Sequence, residues 1–283
     1  MTPHAAFAHN TGMKRLTLPV WFGVIGALAM CVTSLAHDFW VEPSSSRVEV
    51  GTPVTAHLRV GMACPGEATL RKQARIERFE LVGPGGETVM AGEDGVEPAG
   101  RATPTAPGLH AIVYRGKPVE IELAAHEFEA YLREEGLEKI IRARAERSDT
   151  SRPGHEVYSR CAKALVAVGE VPADAADKAW GLRYEIVAEG NPLNTDITKE
   201  GGGTVVVRVL LDGKPLAGAQ VRAMHCGGGT PKRLVKTDRD GKATIAIDAP
   251  GRWVLASTEM FEANMHTGAD WESLWASLVF EVK

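Results

Sequence analysis

From residue 54 the chain alternates apolar and polar positions. Val54, Ala56, Leu58 and Val60 interleave with Thr55, His57 and Arg59, the period-2 pattern of a strand with one buried face. Arg75 to Val82 (RIERFELV) continues in that style and ends at the turn cluster Gly83-Pro84-Gly85-Gly86. Leu109 to Tyr114 and Val119 to Leu123 predict two more strands around Gly116-Lys117-Pro118. The period then changes. Phe128, Tyr131 and Leu132, then Leu137, Ile140 and Ile141, follow the i, i+3, i+4 spacing of amphipathic helix, with Gly136 between the two sets. Arg152-Pro153-Gly154 breaks the pattern. A further helix is predicted from His155 to Val168, with Tyr158, Cys161, Leu165 and Val166 inward and Gly169 and Pro172 as its stop. From Trp180 the strand signals return: Thr204 to Leu211, Gln220 to Met224, Ala243 to Ile247, Arg252 to Ser257 and Leu278 to Val282, with Asp212-Gly213 as a hairpin turn.

Short strands at regular spacing with turn residues between them predict a mainly β protein built as antiparallel sandwich. The expected division is a signal segment over 1–36, a sandwich over 37–125, a helical segment over 126–178 and a second sandwich over 179–283. The first division rests on Lys14 and Arg15, the apolar run Leu16 to Val32, and Ser34-Leu35-Ala36 as a cleavage site. Met13 is the expected true start. The run is short for a span of about 20 residues, and nothing after residue 36 is apolar for longer, so the expected product is a periplasmic protein without a membrane span.

The net charge of −4 over 283 residues argues against nucleic acid and against a polybasic membrane contact. Beyond Cys31 in the signal, Cys64, Cys161 and Cys226 leave three pairings open. Cys161 lies on an apolar stripe. Cys64 with Cys226 is the favoured pair, because both lie in loops flanked by Gly and Pro.

HDFWVEP after a signal, then FEAYLREEGL, EVYSRCAKAL and DWESLWASLVFEV in that order, resemble a bacterial exported family labelled a domain of unknown function. That family was formerly filed as the NikM-type component of nickel uptake. The resemblance implies a β-rich envelope protein tied to transition-metal handling, with a membrane transporter or outer-membrane receptor as partner. It carries no permease role, since the transmembrane segment of the older label is missing. KPLAGAQVRA and KTDRDGKATIAIDAPGRWVL are similar to transthyretin-like and CnaB-like modules. The fold class expected is therefore two Ig-like or transthyretin-like β-sandwiches with an intervening helical segment.

Cleavage after Ala36 makes His37 the first residue, and a terminal histidine offers its amine and ring Nδ1 to one metal ion. Nitrogen donors favour Cu(II), with Ni(II) next, so Cu or Ni is the expected ion. Partner ligands are sought in His110, in His266 within MFEANMHTGADW, and in Glu259; His225 with Cys226 is a loop pair able to bind Cu(I) or Zn(II). His57 is equally a strand residue facing water, and His126 and His155 sit at expected helix starts. Isolated histidines are more often surface or satisfied core groups. Phe39, Trp40, Trp271 and Trp275 are expected to pack, and Asp238-Arg239-Asp240-Gly241 is a turn, since loop position 12 is Ala249 rather than glutamate. Glu127, Glu129, Glu134 and Glu135 are expected on a solvated helix face, and no G-x-S-x-G elbow is present. Three functions follow: a periplasmic binder of Cu or Ni that stores the ion or passes it to an uptake system; a non-catalytic envelope module binding a polymer or protein; and a histidine-brace copper oxygenase. A non-enzymatic role is expected.

Overall fold

The computed structural model describes residues 1–2, 37–228, 233–265 and 267–283. The expected signal segment and His266 lie outside the described residues. In the N-terminal part the strands are β1 (Asp38–Pro43), β2 (Arg47–Val48), β3 (Val54–Gly61), β4 (Glu67–Ala68), β5 (Ile76–Gly83), β6 (Gly86–Val89), β7 (Gly100–Ala102), β8 (Gly108–Gly116) and β9 (Val119–Leu123). Two helices follow, α1 (Ala125–Glu134) and α2 (Glu138–Glu146), then β10 (Gly154–Val168). The remainder holds β11 (Tyr184–Ala188), β12 (Gly203–Leu211), β13 (Lys214–Pro215), β14 (Gln220–His225), β15 (Arg233–Lys236), β16 (Lys242–Ile247), β17 (Gly251–Glu262) and β18 (Trp271–Val282).

The largest sheet runs β15-β14-β17-β18-β10-β8-β5-β6, with β2 and β9 also pairing with β10. It is the middle layer of the molecule. On one face lies the small sheet of β11, β12, β13 and β16, sharing a core of Val207, Ile245, Leu255, Leu278 and Leu165. The other face is covered in two parts. The sheet of β1, β3, β4 and β7 packs Phe39, Val41 and Leu58 against Ile112, Ala164 and Val279. Beside it, α1 and α2 pack Phe128, Tyr131, Leu132 and Ile140 against Tyr158, Trp271 and Trp275. The two expected sandwiches thus share one sheet, and the described residues from His37 onward form one compact unit.

Strand β3 follows its sequence pattern residue for residue: Val54, Ala56, Leu58 and Val60 are buried and their neighbours are not. The helical pair forms where the 3.6-residue period predicts it. The Glu127 carboxylate accepts the Ala124 N–H at 3.3 Å, satisfying one orphan donor at the start of α1. Gly136 ends the first helix at φ +69°, and a Cβ there would lie 2.6 Å from Gln220 Oε1, so only glycine fits the turn.

The expected helix from 155 to 168 is instead the fifteen-residue strand β10. It pairs in parallel with β18 on one side and antiparallel with β8 and β9 on the other. Covered on both faces, it buries Cys161, Leu165 and Ala167 towards one layer and Ala162, Ala164, Val166 and Val168 towards the other. A doubly covered strand loses alternation, and Tyr158, Cys161 and Leu165 then mimic helical spacing. The helical content of the expected 126–178 segment is confined to α1 and α2. Lys163 is a buried charge within β10. Its Nζ donates to Asp177 Oδ2 at 2.7 Å and Glu185 Oε1 at 3.2 Å, tying the middle sheet to β11.

Cys64 and Cys226 are joined by a disulfide, the pair favoured from their loops, and Cys161 is buried and free. Among the described residues no helix is long and apolar enough to cross a membrane.

Candidate ligand-binding site

Strand β14 pairs with β17 only as far as Arg222 opposite Ala256, whereas β17 continues to Glu262. The turn between α1 and α2 covers the edge left beyond that point. Between them lies a cleft of about 450 Å³ whose walls include Glu135, Lys139, Arg142, Gln220, Lys236 and Glu259.

Glu135 and Thr258 in its wall belong to a buried charge network. Arg222 donates through Nη1 to Asp38 Oδ2 at 2.5 Å and through Nη2 to Glu135 Oε1 at 2.7 Å. Thr258 Oγ1 donates to Glu135 Oε2 at 2.9 Å, and Gln220 Nε2 donates to Glu134 O at 3.0 Å. Asp38, Glu135 and Arg222 are all nearly inaccessible to water. Burial, with the Asp38 carboxylate beside it, pushes the Glu135 carboxyl above its ordinary pKa, and Arg222 opposes that shift. The arginine is itself held more firmly charged by Asp38 and Glu135, against its own burial. The network joins three chain segments far apart in sequence and fixes the helical turn to the sheet. At the rim Lys139 pairs with Glu259, and Lys236 Nζ lies 2.9 Å from Glu138 Oε1. Arg142 has no ion pair with a described residue. The Lys236–Glu138 pair is exposed and contributes little stability, so it is available for exchange with a ligand's charges.

The expected metal-site residues fall in different places. Glu259 lines this cleft, but its carboxylate is committed to Lys139 and accepts the Met260 N–H at 2.9 Å. His37 directly precedes β1, one residue from Asp38 of the charge network. His110 does not join them. Register places it opposite Val166 on β10, whereas Glu259 lies opposite Leu274, which lies opposite Ser159. Those two positions on β10 are roughly 20 Å apart at strand rise. His110 is a core residue whose ring occupies the space beside Gly83 and whose Nδ1 lies 3.1 Å from Gly108 O; burial pushes its pKa down. Cys226 is committed to the disulfide, so the His225–Cys226 loop pair is not a thiolate site. Among the described residues no group of three or more His, Cys, Asp or Glu is arranged to hold a metal ion.

Sequence patterning missed the network itself. Glu129 and Glu135, expected on a solvated face, are buried, Glu129 against Arg144 at 2.9 Å. The available signal was Arg222, a charge in the apolar run Val221 to Met224; buried arginines require partners.

A sequence model of the family described as Domain of unknown function (DUF4198) matches residues 34–259. The chain belongs to the DUF4198 family. No curated protein matches this DUF4198 chain. Among solved structures it is similar to a DUF4785 family protein from Legionella pneumophila (13% identity, TM-score 0.25), covering 77% of this chain and 51% of the other, so it spans about half of that protein. It is also similar to the D0-D1 domain of Intimin (14% identity, TM-score 0.22), covering 86% of this chain and 97% of the other. Fibronectin(III)-like modules of Clostridium thermocellum CbhA match at 8% identity and TM-score 0.20, covering 86% of this chain and 94% of theirs.

Proposed function

We propose that this DUF4198 protein is a non-catalytic binding module acting outside the cytoplasm, with the cleft between the α1–α2 turn and β17 as its recognition site for a protein partner. The observation that carries this reading is the buried charge network that holds Glu135 in the cleft wall. Arg222 and Asp38 lock Glu135 from behind, which keeps that wall rigid, while the rim offers charges at Lys236 and Arg142. A rigid wall with a polar rim lowers the ordering cost of association. The secretory pattern and the Cys64–Cys226 disulfide support an oxidising compartment.

The test is site-specific photocrosslinking in the producing cell. A photoreactive residue at Arg142 or Lys236 should give a discrete adduct, lost on Glu138→Lys, while the same residue at Glu87 on the far sheet edge should give none. Identical adducts from rim and far edge, or none from the rim, would remove this reading.

A transition-metal role is the second reading, favoured by one observation. The Asp38–Arg222 ion pair holds the start of β1 in place, so a chain cut after Ala36 would present its terminal amine and His37 ring from a fixed strand. Cu or Ni bound there would be stored or passed to a membrane transporter, as the NikM-type resemblance implies. Cu(II) titration of a chain beginning at His37 should be tighter by orders of magnitude than that of a chain carrying one extra residue ahead of it. Equal titrations would sink the metal reading and leave the binding module untouched.

A further inference from the structure

The Lys163 side chain on β10 is wholly inaccessible to water. So is that of Asp177, and Glu185 keeps only 2% exposure. Cys161 and Leu165, two places away on the same face of the strand, belong to the apolar core. Lys163 Nζ lies 2.7 Å from Asp177 Oδ2, 3.2 Å from Glu185 Oε1 and 3.2 Å from the Lys178 carbonyl oxygen. Two carboxylates and one ammonium leave an excess negative charge in a dry interior, where every ion is costly. One acid balances the lysine. The second needs another reason to be there.

The three groups are set out as a nucleophile, an acyl centre and a proton carrier. A C–O bond of about 1.2 Å puts the Asp177 Cγ within about 4 Å of Nζ. Asp177 Oδ1 accepts the Lys178 N–H at 2.8 Å, and Oδ2 accepts the Ala188 N–H at 3.0 Å. Backbone donors thus meet both oxygens where negative charge gathers as Cγ becomes tetrahedral. Glu185 accepts the Trp180 N–H at 2.9 Å and the Leu182 N–H at 3.2 Å, which fixes its carboxylate beside Nζ. Holding both reactants in one rigid core supplies the effective concentration that a free amine and acid lack in water. Exclusion of water protects the product from hydrolysis.

We propose that Lys163 and Asp177 close an intramolecular amide bond, with Glu185 as the proton carrier. Glu185 Oε1 takes one proton from the ammonium, and rotation about Cε–Nζ turns the freed lone pair towards Cγ. The Nζ–Cγ bond forms and the Cγ–Oδ2 bond breaks. The departing oxygen leaves as water with two of the three ammonium protons, one of them returned by Glu185. Lys163 keeps the third as an amide N–H, and Glu185 ends as it began, a carboxylate. Nothing is oxidised or reduced. The buried ion pair becomes a neutral amide, which removes its desolvation cost and ties β10 covalently to the segment before β11.

Tryptic mapping of the full chain, purified folded and then denatured, reads the bond directly. An open Lys163 is a cleavage site and gives peptides 161–163 and 164–178. The closed form resists cleavage there and gives one peptide that starts at Cys161, contains Asp177 and is lighter by one water. Glu185→Gln should lower the closed fraction at least about tenfold, since a positioned proton carrier contributes about 10²–10⁴ in rate. Lys163→Arg, which keeps the cation and lacks the amine, should show the full sequence mass. Wild-type protein cleaved completely at Lys163 would overturn the proposal and leave an ionic triad. So would loss of water with Lys163 still open, a link to Glu185 in peptide 184–199, or an undiminished closed fraction in Glu185→Gln. If Glu185→Gln does not fold, the wild-type map alone decides.

Discussion

Glu156 is almost fully buried on β10, beneath α1. Its Oε1 accepts hydrogen bonds from Ser273 and, at 3.3 Å, from Tyr131, while Oε2 has no partner. Burial outweighs those bonds and raises its pKa from the ordinary 4.5 to about 7. The folded state therefore binds a proton more tightly than the unfolded chain. Between pH 4.5 and about 7 the native protein carries more protons, so stability falls as pH rises through that window and the full penalty is present above it. At 1.36 kcal/mol per pKa unit the difference amounts to about 3 kcal/mol. Glu156→Gln keeps the shape without the ionisation. Urea unfolding followed by tryptophan fluorescence from pH 4 to 9 should show the variant gaining on the wild type by about 3 kcal/mol across the window, with little difference at pH 4. Glu135 titrates upward for the same reason, and adds a pH dependence common to both proteins. Parallel stability curves for wild type and Glu156→Gln would refute the argument, because no other change at that position removes a titrating group.

Removing the Cys64–Cys226 bridge frees a loop with a sequence separation of 162 residues. The Cys64→Ala/Cys226→Ala double variant should lose up to about 5 kcal/mol on the chain-entropy account, seen as a lowered urea midpoint matched by the wild type in reductant. Lys163→Met should cost about 3–5 kcal/mol, since it leaves Asp177 and Glu185 buried without their cation. A Lys163→Met midpoint equal to wild type at pH 7 would show that the buried triad is dispensable.

How much of this was legible in the sequence depends on how many faces each element buries. Strand β3 has one buried face, so its alternation is written in the residues. The α1 and α2 stripes were readable for the same reason. Strand β10 is covered on both faces, so its apolar positions carry no period and its helical spacing was an accident of Tyr158, Cys161 and Leu165. The charge network was illegible for a different reason. Arg222 and Glu135 meet across a separation of 87 residues, and no local pattern records which acid turns inward once Gly136 bends the chain. An isolated histidine leaves its packing role unwritten in the sequence. His110 looked like a candidate ligand only because sequence hides that its ring is needed to fill space beside Gly83.

The face of β10 towards α1, α2 and β1 changes character along its length. Glu156, Tyr158 and Arg160 come first, followed by Ala162, Ala164, Val166 and Val168. The switch falls where the cover changes from the helical pair to the sheet holding β1. Glu156 and Arg160 are four residues apart on one strand, about 13 Å at strand rise, too far to neutralise one another. Each therefore carries its desolvation cost alone, unlike Lys163, whose cost is offset by two carboxylates on the opposite face. A neutral side chain at either position would avoid that cost. The sign of the stability change separates the two kinds of residue. Neutral replacement should stabilise at 156 and 160 and destabilise at 163, and a loss of stability at 160 comparable to that at 163 would show Arg160 to be a structural cation after all.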